Sequence, residues 1–177
     1  MARIPQLDPA NLTERQAEVY QAIASGPRGG VHGPLAVWLN RPELADKAQQ
    51  LGRYCRYDSS LPPRLSELAI LVTARIWDAA FEWQAHVPHA RKAGHSDEII
   101  SALSRNEEPV FTKVDETLVY RIARELNLDR KISDELYRQA EEVLGRNQLV
   151  DLIGVLGYYS LISMTIRAFE VGPLERK

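Results

Sequence analysis

The pattern that most constrains the fold lies just after two consecutive prolines near the middle of the chain. Apolar residues there recur every three or four positions: Leu65, Leu68, Ala69, Val72 and Ile76. An α-helix has about 3.6 residues per turn, so this spacing aligns the apolar side chains along one stripe. The pattern predicts a helix with one buried face.

Prolines, glycines and capping residues divide the rest of the chain into further segments with helical patterns. The predicted helices cover about 13–25, 34–38, 42–55, 79–93, 96–103, 112–127, 133–144 and 146–169. Asn11 or Thr13 can begin the helix that runs to about residue 25. Asn40 is expected to cap the helix at 42–55, and Asp78 the helix at 79–93. No window alternates with the period of a strand. We therefore predict an all-α fold of about seven or eight helices in one domain, residues 1–177.

Composition excludes several classes of function. The 22 Lys and Arg residues are balanced by 24 Asp and Glu residues, which argues against a nucleic-acid partner. A single cysteine, Cys55, rules out an intrachain disulfide and fits a reducing, cytoplasmic location. The most apolar stretch, 149–166, is interrupted by Asp151, Gly154 and Gly157, which favours a buried core or interface helix over a membrane span.

A glycine- and proline-rich segment, residues 26–34, separates the first two predicted helices. Its composition is incompatible with regular structure, and its glycines allow backbone amides to approach a ligand closely. The segment is a candidate pocket wall, and His32 within it is a candidate substrate-binding residue.

The best candidates for chemistry lie on the predicted helix 79–93. Glu82, His86 and His89 are spaced by four and three residues and therefore share one helix face. A carboxylate one turn from an imidazole is a compact unit for proton transfer near neutral pH. The alternative is an exposed ion pair without a function. Phe81, Trp83 and Val87 favour the first interpretation, because apolar neighbours indicate that a polar group faces an interior.

Two further interpretations of this segment remain open. Pro88 either kinks the helix beside His86 or marks an earlier helix end. Glu82, His86 and His89 could also share a metal ion, but the sequence lacks a His-Glu-x-x-His motif and a fourth ligand. We expect no metal and no cofactor.

Several of these segments resemble a known family. Arg64-Leu-Ser-Glu67-Leu-Ala-Ile-Leu-Val-Thr-Ala-Arg75, then Glu82-Trp83-x-x-His86, then Ala93-Gly94 resemble the core of the carboxymuconolactone decarboxylase and AhpD-like family, over about 63–104. The resemblance extends loosely over most of the chain and implies an AhpD-like helical bundle that assembles as a trimer or hexamer. The apolar segment 149–166 also suits burial between helices or subunits.

The family contains two chemistries, which this resemblance distinguishes. Its redox branch carries a Cys-x-x-Cys pair, and aligning that motif on His86 places the two cysteines at Ala79 and Glu82. Because both thiols are missing, peroxidase or disulfide-reductase activity is disfavoured. The decarboxylase branch has Glu-x-x-x-His at this point, as this chain does, and works without a cofactor.

The resemblance implies a cofactor-free decarboxylase or lactone-processing enzyme for a small organic acid or lactone, of the kind used in aromatic-compound catabolism. Glu67, Glu82 and His86 would form its proton relay. Arg75 is our candidate for binding the substrate carboxylate, although an ion pair with Asp78 is equally expected. Trp83 and His89 are further candidate substrate contacts. The alternative function is a non-catalytic oligomeric binding or scaffold protein of the same fold.

Overall fold

The computed structural model describes residues 2–173 and contains α-helices without strands in that range. The helices are α1 (Glu14–Ala24), α2 (Pro34–Trp38), α3 (Pro42–Arg53), α4 (Pro63–Ile76), α5 (Ala80–Lys92), α6 (Asp97–Ser104), α7 (Val114–Leu128) and α8 (Asp134–Phe169). The all-α prediction is confirmed. Helix α8 spans the two helices predicted at 133–144 and 146–169. Its backbone is interrupted at Gly145, with φ 75°, which is the position where the two predicted helices meet.

The helix starts show which capping predictions were correct. Thr13 accepts a hydrogen bond from the Gln16 amide, and the Gln16 side chain accepts one from the Thr13 amide, which is a capping box for α1. The caps predicted at Asn40 and Asp78 are wrong, because α3 and α5 are preceded by Arg41 and Ala79. Asp78 instead adopts φ 51°.

Helix α4 lies at the centre of the fold, against α5, α7 and α8. Every residue from 65 to 74 is buried, so the prediction of a single buried stripe is wrong. The faces outside the predicted stripe are buried too, and they carry apolar Ile70, Leu71 and Ala74 together with the polar residues Ser66, Glu67 and Thr73. The burial of Glu67 places a carboxylate inside the protein, where it requires a hydrogen-bonding partner.

Helix α8 is long and apolar enough to cross a membrane, but 56% of its most apolar 18-residue window is buried in the fold. Leu152, Val155 and Tyr159 face the core, as expected for the core helix of a soluble domain. Its outer face exposes apolar side chains: Val150, Ile153, Leu161 and Met164. Assembly of several copies through this face stays a prediction.

A π-helical turn, Tyr54–Asp58, follows α3 where the sequence predicted the end of a regular helix. Asp151 of α8 holds both sides of this turn. Its carboxylate accepts hydrogen bonds from the Tyr54 hydroxyl at 2.7 Å and from the Ser60 amide at 2.7 Å. Between these anchors, Cys55 is buried in the core while Arg56 reaches the wall of a cavity.

Candidate active site

The centre of the site is a hydrogen-bonded cluster of two carboxylates and one imidazole, contributed by α4 and α5. His86 Nδ1 lies 2.6 Å from Glu67 Oε2, and His86 Nε2 lies 3.0 Å from Glu82 Oε1. The three side chains are almost fully enclosed, with residue exposures of 1% for His86, 5% for Glu82 and 7% for Glu67. The prediction that a polar group of α5 faces an interior is therefore confirmed.

The geometry sets how many protons the cluster holds. Each of the two short contacts needs one proton between its nitrogen and its oxygen, so the three groups share two protons. Either His86 is an imidazolium between two carboxylates, or it is neutral and one glutamate is protonated. In both states the cluster has a single net negative charge, and moving a proton between the states changes no heavy-atom position.

Burial and hydrogen bonding act on His86 in opposite directions. Burial disfavours the charged ring, but the hydrogen bonds to Glu67 and Glu82 outweigh it and raise the pKa of His86 above its ordinary value. The edge of the Tyr159 ring packs on the imidazole, with centroids 5.2 Å apart and the planes at 89°. Burial also raises the pKa of Tyr159 well above its usual range, so this neighbour stays neutral.

A cavity of about 1090 Å³ opens beside this cluster. Of the three clustered residues, Glu67 lines the cavity, while Glu82 and His86 lie behind it. The order from cavity to interior is therefore Glu67, His86, Glu82. A ligand would meet the Glu67 carboxylate first, and the buried pair could supply or withdraw a proton through it.

The walls of the cavity are strongly basic. Positively charged side chains are contributed by the segment before α2, by the π turn and by α4, α5 and the residue before α7: Arg28, Arg56, Arg64, Lys92 and Lys113. Glu67 is the one acidic residue among the described lining residues. Because the whole chain has a net charge of −2, this excess of positive charge is local. Such a lining favours an anionic ligand.

The structure divides the four predicted substrate-binding residues into two places. His32 and His89 line the cavity, as do Pro27, Arg28 and Gly30 of the glycine- and proline-rich segment 26–34. Arg75 and Trp83 instead lie together at a separate surface depression. There Arg75 donates a hydrogen bond to the Ser104 carbonyl and pairs with Asp78 at 3.5 Å, which is the structural role considered for it from sequence.

Helix α5 continues through Pro88 to Lys92, so the interpretation that Pro88 ends the helix is wrong. Its continuation places His89 one turn beyond His86, with ring centroids 5.8 Å apart. His89 Nε2 accepts a hydrogen bond of 2.8 Å from Arg56. Partial desolvation and the charge of Arg56 lower the pKa of His89, so the ring is a neutral acceptor.

A metal site is not formed by these groups. Among residues 2–173, no group of three or more His, Cys, Asp or Glu side chains could hold a metal ion. The ring nitrogens of His86 are both engaged by carboxylates, and His89 Nε2 is engaged by Arg56.

Comparison with known proteins agrees with this architecture. Residues 42–125 match the carboxymuconolactone decarboxylase family. This similarity to the family covers just under half of the chain. The matched region extends beyond the core predicted at 63–104 and includes α3 to most of α7. No curated protein sequence matches this chain at a significant level.

Solved structures of three bacterial proteins share the fold of this chain. An uncharacterised peroxidase-related protein from Silicibacter sp. TM1040 has a TM-score of 0.78 at 14% identity, covering 98% of this chain and 92% of its own. An uncharacterised peroxidase-related protein from Ralstonia eutropha JMP134, described as an alkylhydroperoxidase AhpD core, has a TM-score of 0.79 at 12% identity, covering 98% of this chain and 93% of its own. A protein of unknown function from Agrobacterium tumefaciens, described as a candidate antioxidant defence protein AhpD, has a TM-score of 0.70 at 19% identity. The alignment covers 79% of this chain and 97% of that protein.

The chain has no cysteine at the two positions where the resemblance places the redox pair. The positions at which the resemblance places the redox cysteines hold Ala79, which is buried, and Glu82, which contacts His86. The remaining thiol, Cys55, is 1% exposed. Burial, with a smaller contribution from Asp151, raises the pKa of Cys55 to about 11. Its reactive thiolate form is therefore scarce at neutral pH.

Sequence reasoning did not find two residues that complete the site. Tyr159 was visible only as part of an apolar helix, although a pair of tyrosines in such a segment is a signal for a polar partner nearby. Arg56 had no detectable signal, because a regular continuation of α3 would direct it differently from the π turn that the structure contains.

Proposed function

We propose that this protein is a cofactor-free enzyme that decarboxylates or opens a small anionic organic acid or lactone, with Glu67, His86 and Glu82 as its proton relay. The observation that carries the proposal is the hydrogen-bonded order of these three groups, which ends at a basic cavity. A structural ion pair on a solvated helix face would not combine near-complete burial with access to a cavity.

The chemistry requires an acid whose carboxylate can leave as CO₂ while a conjugated carbonyl accepts the electron pair. The carbon–carbon bond breaks, and its electrons move onto the carbonyl oxygen to give an enolate. Basic groups in the cavity wall stabilise that developing negative charge. Glu67, protonated by transfer from His86, then delivers that proton to the carbon. A proton taken up from solvent through the cavity at Glu67 restores the two protons of the relay.

A thiol-dependent antioxidant activity, suggested by the names of the structural relatives, is less well supported. It would require Cys55 to react from a buried position with a raised pKa. It would also lack the second cysteine that resolves a sulfenic acid within one subunit.

The test is a mass-spectrometric screen of enol lactones and β-keto acids for loss of CO₂, with wild type, His86→Gln and Cys55→Ser compared on every substrate. We expect turnover by wild type and Cys55→Ser and a loss of at least about 100-fold in His86→Gln, the usual contribution of general acid–base catalysis. Equal turnover by wild type and His86→Gln would contradict the relay. Peroxide reduction that disappears in Cys55→Ser would support the antioxidant alternative instead.

A further inference from the structure

The basic residues around the cavity are not equivalent. Arg64 is already bound to two carboxylates, those of Asp115 and Glu116. Lys92 and Lys113 are exposed at the rim. Arg28 and Arg56 are partly buried and form no ion pair with a carboxylate of residues 2–173. A partly buried cation without a counter-ion favours binding of an anion from solution.

Arg56 is the one of these two that lies beside the relay. One of its terminal nitrogens donates to His89 Nε2 at 2.8 Å, and its guanidinium lies 5.3 Å from the centroid of the Tyr57 ring. The His89 ring, in turn, is adjacent to the His86 ring. A guanidinium has five N–H donors, and His89 uses one of them, so donors remain for a ligand.

His89 determines how Arg56 is presented. An arginine is always protonated, so a hydrogen bond from it requires an unprotonated Nε2, which the lowered pKa of His89 supplies. The contact fixes the direction of a long side chain before any ligand arrives. At its base, the π turn is held between Tyr54 and Ser60 by Asp151. The guanidinium is therefore preorganised at both ends.

We propose that Arg56, positioned by His89, binds a carboxylate of the ligand in the cavity and orients it beside Glu67. This assignment rests on the proposed function of the same site and identifies the anchor for its substrate. It also moves the carboxylate-binding role from Arg75, the candidate from sequence, to a residue of the π turn. Arg75 is directed to Ser104 and Asp78 at another surface and does not line this cavity.

The test is direct binding of succinate, an unreactive dicarboxylate, measured by isothermal titration calorimetry. Arg56→Gln should raise the dissociation constant for succinate by about 10- to 100-fold, because a charge-assisted pair is lost. Arg53→Gln is the matched control, since Arg53 precedes the same turn but pairs with Asp58 on the exposed surface. It should bind succinate as the wild type does.

Three outcomes of this measurement would overturn the assignment. The first is a dissociation constant for Arg56→Gln equal to that of the wild type. The second is no succinate binding by the wild type, and the third is a loss of affinity in Arg75→Gln as large as that in Arg56→Gln. Circular dichroism spectra of the variants would confirm that each has kept its helical fold.

Further variants separate binding from positioning. Arg56→Lys should recover part of the affinity, because it restores the charge without the planar pair of donors. His89→Phe should weaken succinate binding less than Arg56→Gln does, because the guanidinium remains but is no longer directed. Equal losses in Arg56→Lys and Arg56→Gln would contradict recognition of an anion by charge.

The assignment and the relay fail in different ways. With a substrate from the decarboxylation screen, Arg56→Gln should mainly raise KM, whereas a change in the relay should lower kcat. If no substrate is turned over while succinate binding still depends on Arg56, the relay proposal fails and the anion anchor stands.

Discussion

Two clusters include α4 residues one turn apart, Arg64 and Glu67, and share the same charged composition with a different basic group. Arg64 lies between Asp115 and Glu116, and His86 lies between Glu67 and Glu82. Each cluster surrounds one basic group with two carboxylates. A guanidinium keeps its proton at any ordinary pH, whereas an imidazole exchanges one near neutrality. The basic group therefore decides whether such a cluster is structural or suited to chemistry.

The arginine cluster has the geometry of a structural connection. Both Arg64 terminal nitrogens contact Asp115, at 3.1 and 2.6 Å, and one also contacts Glu116 at 2.7 Å. The Arg64 hydrogen bond outweighs the effect of burial and lowers the pKa of Asp115. These contacts connect α4 to the start of α7 and leave no proton free to move. The histidine cluster connects α4 to α5, and its imidazole is a group that exchanges a proton near neutral pH.

The largest expected difference between the clusters is in turnover. Glu67→Gln should reduce CO₂ release by about 100-fold or more, because an amide cannot carry the transferred proton. Glu116→Gln is the matched change in the arginine cluster, at a similarly buried glutamate. It should retain turnover within a few-fold of the wild type. Similar losses in both variants would show that the clusters do not differ in the way proposed.

The arginine cluster should instead dominate stability. Arg64→Met removes the partner of two carboxylates and leaves Glu116 buried without its counter-ion, so the free energy of unfolding should fall by about 2–3 kcal/mol. Urea denaturation measures this change. Arg53→Met, which breaks the exposed pair with Asp58, is the control and should cost about 0–1 kcal/mol. A loss of unfolding free energy in Arg64→Met no larger than that in Arg53→Met would contradict a structural role for the arginine cluster.

The smallest expected effect is the pH dependence of stability, in which the clusters should have opposite signs. Asp115 has a lowered pKa, so its contribution is complete above the unfolded value of about 3.9 and is lost as the pH falls through the folded value. His86 has a raised pKa, so its contribution is complete below about 6.5 and is lost as the pH rises through the folded value.

Unfolding free energies of wild type, Asp115→Asn and His86→Gln across the pH range would measure the pH dependence of each cluster's contribution to stability. The difference between wild type and Asp115→Asn should shrink toward acid pH, and that between wild type and His86→Gln toward alkaline pH. Should His86→Gln fail to fold, the nitrogen chemical shifts of His86 in the wild type report the same pKa. An ordinary or lowered pKa for His86 would contradict its stabilisation by the two glutamates.

Much of the local structure was predictable from sequence because it depends on neighbouring residues. The capping box at Thr13, the proline at the start of α4 and the positive φ of Gly94 after α5 act over a few positions. The burial of α4 on all sides was not predicted, because one apolar stripe was identified and the polar Glu67 and Thr73 interrupt the apolar residues on the other faces. The burial of those residues depends on the helices that enclose them.

The sequence by itself determined the helices and the Glu82–His86 pair, because a four-residue spacing on a helix places two side chains together in any fold. The position of Glu67 as the residue that meets the cavity was decided by the tertiary structure, since it comes from a different helix. The same holds for the contact between Arg56 and His89, which are 33 positions apart in the chain. Packing of α4 against α5, and of the π turn against α8, decides those contacts, and no local pattern encodes them.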